Sequence, residues 1–107
     1  MRAGRLKHRI TIEKPELIKD DFGQPTIKTW VTVCSARAAI DPISGKEFFA
    51  AQQINNSINY KVTIRYRPGI KSQFRVKYKD RTFEIHAPLN PREANRELLL
   101  MCEEYET

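Results

Sequence analysis

The sequence has few of the residues on which catalytic and metal sites usually depend. It contains two histidines and two cysteines, and it has no glycine-rich phosphate loop and no nucleophile elbow. His8 and His86 fall in different predicted strands, and no nucleophile is spaced to pair with either of them. We therefore expect no enzymatic activity, no metal site and no cofactor.

Long apolar runs are also missing, which bears on where the chain acts. No segment approaches the ~20 apolar residues that a membrane span requires, and no apolar run follows the basic residues 1–9, as it would in a signal peptide. We expect no membrane association and a cytosolic setting that keeps thiols reduced. Cys34 and Cys102 are then expected to be buried or half-buried strand residues, although the sequence also allows a disulfide between them.

An excess of positive charge stands out in what the chain does contain. Its 107 residues include 19 Lys and Arg against 13 Asp and Glu, for a formal net charge of +6. This length fits a single domain over residues 1–107 with one modest core. The charge favours an acidic partner such as nucleic acid, but many small basic proteins bind only other proteins.

Residues 60–85 are the most informative stretch. Apolar side chains recur there at every second residue, which is the period of a strand with one buried face; they are Val62, Ile64, Tyr66, Phe74, Val76, Tyr78, Phe83 and Ile85. The residues between them include Lys61, Arg65, Arg67, Arg75, Lys77 and Arg81. The pattern predicts three short strands with aromatic rings in the core and a basic outer face, joined by turns at Pro68-Gly69 and Lys79-Asp80.

The remaining strands are predicted on either side of this stretch. We expect strands over residues 5–13, 26–39, 60–67, 73–78, 81–86 and 97–104, with a long loop over residues 14–24. The fold class is therefore mainly β, a small barrel or sandwich of about six strands with one helix inserted between the second and third strands.

The inserted helix is predicted from a change of period after Asp41-Pro42. Ser44 and Glu47 match a capping box, with Ser44 as the N-cap. Phe48, Ala51, Ile54 and Ile58 form one apolar stripe of about three turns, and Gln52, Gln53, Asn55 and Asn56 cover the other face. Asn55-Asn56 is the expected end, since Asn tolerates left-handed backbone. Long connections in compact domains are usually functional or mobile.

The basic face allows two interpretations. It is either the solvated outer side of a sheet or a surface that faces phosphates. The aromatic residues fall on the apolar side of the alternation, which argues against base stacking. The acidic residues near the end, Glu103, Glu104 and Glu106, are expected to be solvated, with basic residues of a neighbouring subunit as the alternative.

The order of several segments resembles a known family. These segments are RLKHRITI at 5–12, DFGQ at 21–24, SGKEF at 44–48, AQ at 51–52, VTIRYRPGI at 62–70, RTFEI at 81–85 and LLLMCEE at 98–104. Together they resemble the head–tail joining, or head-closure, proteins of long-tailed bacteriophages and prophages, over nearly the whole chain. One departure is Tyr60, where the family pattern leads us to expect a histidine.

The resemblance implies a small β-barrel that forms a ring, typically a dodecamer, below the portal and adaptor proteins. Such a ring closes the DNA channel after packaging and offers a docking surface to the tail terminator or tail completion protein. The implied location is the virion, after assembly in the host cytoplasm. The alternative is a basic β-barrel that binds nucleic acid on its own.

Two sets of site residues follow from the resemblance and the charge pattern. The channel-closing segment is carried onto residues 41–59, with Asp41, Ser44, Lys46, Phe48, Phe49, Gln52, Gln53, Asn55 and Asn56 as candidates. The basic residues expected to face packaged double-stranded DNA or a partner, without reading sequence, are Lys46, Arg65, Arg67, Lys71, Arg75 and Lys77.

Overall fold

The computed structural model describes residues 6–105, the side chain of Lys28 apart, and its strands close into a barrel. The strands are β1 (His8–Lys19), β2 (Pro25–Pro42), β3 (Tyr60–Arg65), β4 (Arg75–Tyr78), β5 (Arg81–Leu89) and β6 (Glu97–Tyr105). Their order around the barrel is β1-β2-β3-β6-β5-β4, with antiparallel neighbours throughout. Helix α1 (Lys46–Ile54) lies between β2 and β3, and a short 3-10 helix (Pro91–Glu93) precedes β6. The predicted six-stranded barrel with its inserted helix is confirmed.

The barrel interior holds the alternating apolar residues of the sequence pattern. Val62, Ile64, Val76, Phe83 and Ile85 are fully buried, together with Ile10, Ile12 and Leu100, and Leu98 is buried beside them. Tyr60, Tyr66, Phe74 and Tyr78 pack against this core and are half-buried. Each buried aliphatic or aromatic side chain stabilises the fold by ~1.5–3 kcal/mol. The predicted inward orientation of the aromatic residues of β3 to β5 is thus confirmed.

A smaller apolar cluster lies on the outer side of the barrel, beneath α1. It contains Ala51 of the helix, Ile58 of the following loop and Met101 of β6. Leu100 and Cys102 belong to the interior core, so Met101 between them faces the other side of the sheet. The helix is therefore packed on the outside of the barrel wall.

The ends of β1 and β2 extend beyond the barrel as a two-stranded arm. β1 pairs with β4 only over Thr11–Glu13, and β2 pairs with β3 only over Ala38–Pro42. Residues 14–31, from here on the hairpin arm, pair only with one another. The long dimension of the molecule, 48 Å against 29 Å and 28 Å, reflects this extension.

The arm corrects the predicted loop over residues 14–24, because β1 continues through Pro15 to Lys19. Pro15 lies opposite Trp30, and a ribbon with an open edge tolerates its missing N–H. The turn proper spans residues 20–24, where Asp20 Oδ1 accepts hydrogen bonds from the Phe22 and Gln24 N–H groups at 2.8 and 2.9 Å. Gly23 has φ +78°, the left-handed conformation that glycine adopts without strain.

The predicted capping box is wrong. The N-cap of α1 is Gly45, and no side chain caps the helix. Glu47 binds Lys61 of β3 instead, a tertiary contact that local sequence rules do not include. The helix has nine residues, about two and a half turns, so Ile58 lies beyond it. Asn55 ends the helix as predicted, but with extended rather than left-handed backbone.

Other strand boundaries shift by a few residues. β3 ends at Arg65 instead of Arg67, β4 begins at Arg75, and β5 continues through Pro88 to Leu89 after a register shift. Both cysteines are free, with Cys34 half-buried and Cys102 buried, as predicted. Burial raises the pKa of the Cys102 thiol. Among residues 6–105, no helix has the length and apolarity to cross a membrane.

Candidate functional site

Helix α1 presents apolar side chains to solvent. Phe49 is 73% exposed, and Phe48 and Ile54 are each 46% exposed. The two phenyl rings touch edge to face, with centroids 5.8 Å apart. Of the predicted stripe, only Ala51 is buried within the helix itself, so most of the apolar surface of α1 faces away from the barrel.

Few contacts hold the segment 41–59 on the barrel. Besides the Ala51 cluster, the Glu47 carboxylate pairs with the Lys61 ammonium, and Asn55 Nδ2 lies 3.4 Å from His86 Nδ1. Backbone hydrogen bonds from the Ile43 N–H to Asn59 and from the Asn59 N–H to Cys102 fix the two ends. Of the predicted polar candidates, Gln52 and Asn55 are half-buried, and the others are exposed: Asp41, Ser44, Lys46, Gln53 and Asn56.

Part of the predicted basic face is neutralised within the chain. Arg75 donates to Glu13 at 2.6 Å and stacks over Trp30, with its guanidinium carbon 4.0 Å from the ring centroid. Lys77 donates to the Thr82 hydroxyl at 2.6 Å. Both side chains are half-buried, so the structure separates them from the exposed candidates Lys46 and Lys71.

The acidic residues of β6 have partners in their own chain. Arg81 donates two hydrogen bonds to Glu104, at 2.7 and 3.1 Å. This pair raises the pKa of Arg81 and lowers that of Glu104. Glu103 lies 3.0 Å from His86. These carboxylates are therefore not the free acidic surface that the sequence suggested, and Glu106 lies outside the described residues.

Four exposed arginines gather where β1, β2 and the end of β3 adjoin. Arg9 and Arg37 are register partners on β1 and β2. Arg37, Arg65 and Arg67 line one pocket of about 460 Å³, whose remaining lining is Leu6, Ala36 and Tyr66. Within residues 6–105, none of these four arginines has an ion pair. The structure thus brings Arg65 and Arg67 together with Arg9 and Arg37, which the sequence did not single out.

The tip of the hairpin arm carries the most exposed large apolar side chain described, that of Phe22, at 88%. Leu17, Ile18 and Ile27 of the same arm are also exposed, by 46–56%. Asp20 and Asp21 precede Phe22 directly. The sequence analysis missed this surface because it predicted a loop here, where exposed residues are expected. In the two-stranded arm the same residues form an exposed apolar surface that no other described element covers.

Glu84, His86 and Glu103 are the described residues that could together hold a metal ion, with ligand atoms within 4.8 Å of one another. His86 Nε2 lies 3.3 Å from Glu84 and 3.0 Å from Glu103, and the Tyr105 hydroxyl donates to Glu84 at 2.7 Å. Burial and the Glu84 bond raise the pKa of Tyr105 to about 12. Each member thus already has a partner. The sequence analysis did not find this group because Glu103 lies far from Glu84 and His86 along the chain and is brought beside them only by the pairing of β5 with β6.

Comparison with known proteins agrees with this architecture. A family model described as phage head completion protein matches residues 1–105, so this chain belongs to the phage head completion protein family. The solution structure of protein SF1141 from Shigella flexneri 2a matches with a TM-score of 0.73 and 28% identity, covering 97% of this chain and 96% of that one. No curated protein matches. Family membership gives the chain a structural role in the phage head, alongside other head and tail proteins of the virion.

Proposed function

We propose that this chain, as one domain over residues 1–107, closes the DNA channel of the phage head after packaging. It forms a ring below the portal and adaptor proteins, and the family resemblance implies that this ring has twelve copies. The ring retains the genome and offers the tail terminator or tail completion protein a surface for attachment. Assembly takes place in the host cytoplasm, and the finished ring lies at the head–tail interface of the virion.

The observation that supports channel closure best is the exposed apolar surface of α1. Phe48, Phe49 and Ile54 face solvent, and exposing them costs free energy that a neighbouring subunit would recover. Heterologous contacts between copies close into a ring when the rotation between them closes. The segment 41–59 then lies where subunits meet, or at the channel that they enclose.

The segment is also weakly enough attached to move on assembly. Strand pairing and hydrogen bonds at Ile43 and Asn59 fix its two ends. Between these ends it contacts the barrel through one small apolar cluster, a partly exposed ion pair and one long Asn–His contact, and exposed ion pairs contribute only ~0–1 kcal/mol. We expect residues 41–59 to rearrange between the free and the assembled protein. Hydrogen exchange on both states tests this; equal protection of the segment in each would count against it.

The basic candidates divide by their availability to DNA. Lys46, Arg65, Arg67 and Lys71 are exposed and can meet either passing phosphates, without reading sequence, or an acidic surface of a partner. Arg75 and Lys77 already have partners in the chain, so we assign them a structural role. Independent binding of single strands by base stacking is disfavoured, because the aromatic residues of β3 to β5 pack into or against the core.

Phage particles lacking this protein test the proposal. We expect their heads to lose packaged DNA and to fail to join tails, since the channel stays open and the docking surface is missing. Complementation with Phe48→Ser plus Phe49→Ser should leave both defects, whereas Ala50→Ser, at an exposed position of the same helix, should restore infectivity. Full heads that join tails without the protein would refute channel closure.

A further inference from the structure

We propose that the arginine pocket of one copy receives the hairpin tip of a second copy, with Phe22 in the pocket and the Asp20 and Asp21 carboxylates facing the arginines. This contact deepens the proposed function, since it names a surface through which subunits of the ring would join.

The hairpin tip, residues 20–24, has an aromatic anchor and two carboxylates, with Lys19 directly before it. Phe22 is 88% exposed and projects from a turn that Asp20 holds through two hydrogen bonds. Asp21, next to it, is exposed. A rigid aromatic side chain on an ordered turn loses little conformational entropy when it binds, which favours it as an anchor.

The arginine pocket has the complementary properties. Leu6, Ala36 and Tyr66 give it an apolar lining, and Arg37, Arg65 and Arg67 contribute three cationic groups. Its volume of about 460 Å³ is ample for a phenyl ring with the adjoining backbone. Arginine is suited to this role because its planar fork binds carboxylates with two hydrogen bonds.

The arginine cluster also carries a cost that an acidic occupant would remove. Arg9 and Arg37 lie directly opposite each other on adjacent strands, and like charges in that position are destabilising. Three other basic side chains do have a carboxylate partner, in the pairs Arg75–Glu13, Lys61–Glu47 and Arg81–Glu104. The four arginines have no carboxylate partner among the described residues, so they are available to carboxylates of a second copy.

The positions of the two surfaces make the contact intermolecular. Arg37 and the hairpin tip lie at opposite ends of the same β1–β2 ribbon, separated by twelve residues of β2 from Pro25, or roughly 40 Å at the rise of an extended strand. A rigid ribbon cannot bring its own tip to its own pocket. Complementary surfaces at opposite ends of one subunit generate head-to-tail contacts, which close into rings or extend as filaments.

The test uses two full-length variants, each of which disables one half of the contact. The tip variant carries Asp21→Lys and Phe22→Ser, and the pocket variant carries Arg37→Glu and Arg65→Glu. All four positions are exposed, so both variants should fold, which their NMR spectra will verify. The tip variant retains a working pocket, and the pocket variant retains a working tip. A mixture of the two variants, the crossed mixture, can therefore form one contact between one copy of each, and no further copy can add to this pair.

We expect the amide chemical shifts to change only in the crossed mixture, relative to each variant alone, at millimolar protein. With the tip variant ¹⁵N-labelled, the shifts should fall around Ala36, Arg37 and Tyr66; with the pocket variant labelled, they should fall at residues 20–24. The shifts should shrink as salt is raised, because exposed charges are screened. Lys79→Glu, a charge reversal at an exposed lysine outside the pocket, is the control. Alone at the same concentration, this variant should show the same self-contact as the wild-type protein.

Three results would overturn the proposal: no shifts in the crossed mixture, equal shifts when either variant is mixed with itself, or pocket shifts induced by a DNA duplex but not by the crossed partner. The last result would assign the pocket to DNA. The experiment is independent of channel closure. If heads lacking this protein lose DNA but the crossed mixture shows no contact, only this interface is refuted. If the crossed mixture shows the contact but heads lacking this protein retain their DNA, only the proposed function is refuted.

Discussion

The carboxylate of Glu47, in the first turn of α1, accepts a hydrogen bond from the ammonium of Lys61 on β3. The two residues are 14 positions apart, and the side chain of Lys61 is 18% exposed whereas that of Glu47 is 44% exposed. The pair thus joins the helix to the barrel at the edge of its small apolar contact. It places the carboxylate near the helix N-terminus, where negative charge is favoured.

Replacing Lys61 by Met should loosen α1 without unfolding the barrel. The change keeps the apolar stem and removes the charge, and a partly exposed ion pair contributes ~0–1 kcal/mol. We expect amide exchange in residues 46–54 to accelerate by up to about fivefold. Lys71→Met, at an exposed lysine with no ion pair among the described residues, is the control. Unchanged exchange in both variants would show that the pair contributes nothing.

Ala51 and Ala50 offer a matched pair within the helix. Ala51 is fully buried against the barrel, whereas Ala50 is exposed. Ala51→Asp places a carboxylate in an apolar cluster and should cost about 2–3 kcal/mol of helix docking, seen as loss of hydrogen-exchange protection over residues 46–54. Ala50→Asp should change stability by less than about 0.5 kcal/mol. Equal effects would contradict the observed packing of α1.

Two buried threonines should respond in opposite directions to valine. Thr63 Oγ1 is buried and has no hydrogen-bond partner among the described groups, so Thr63→Val removes an unsatisfied hydroxyl and should stabilise the fold by about 1 kcal/mol. Thr82 accepts a hydrogen bond from Lys77, so Thr82→Val should destabilise it by about as much. Urea unfolding measures both, and the reverse order would contradict the hydrogen-bond assignment.

The Arg81–Glu104 pair should make stability depend on pH in the acid range. Arg81 lowers the pKa of Glu104 below 4.5, its ordinary value. A depressed folded-state pKa contributes stability that is full above about that value and is lost as the pH falls through the folded pKa. Glu104→Gln should therefore be less stable than wild type at pH 7, by about 1 kcal/mol or less, and the difference should shrink toward pH 3. A constant difference in urea unfolding at both pH values would argue against the pair.

The sequence pattern predicted the barrel wall well because burial of alternate residues is a local signal. Val62, Ile64 and Val76 lie in the core as their period required. The capping box failed because Glu47 has a better partner in Lys61, which only the folded β3 brings close. The hairpin arm was predicted as a loop because Pro15 and the polar residues around it are typical of loops. A two-stranded ribbon also buries too few side chains for its sequence to alternate between apolar and polar residues.

The candidate surfaces were predictable only in part, since charge pairing depends on which strands become neighbours. Residues of the basic pattern such as Arg65 and Arg75 look alike in sequence, yet Arg75 meets Glu13 because β4 closes onto β1. Arg65 lines a pocket with Arg37 because β2 and β3 pair. No rule of spacing along the chain separates these two outcomes.

The position of β6 between β3 and β5 has a consequence for biosynthesis. Of the described strands β6 is made last, so the barrel wall between β3 and β5 stays open until residues 97–105 have been synthesised. Until then β3 and β5 each present an unpaired edge, and such edges promote aggregation. We expect prematurely terminated chains to aggregate, and tags that hinder the insertion of residues 97–105 to lower the yield of folded protein more than tags that leave this strand free.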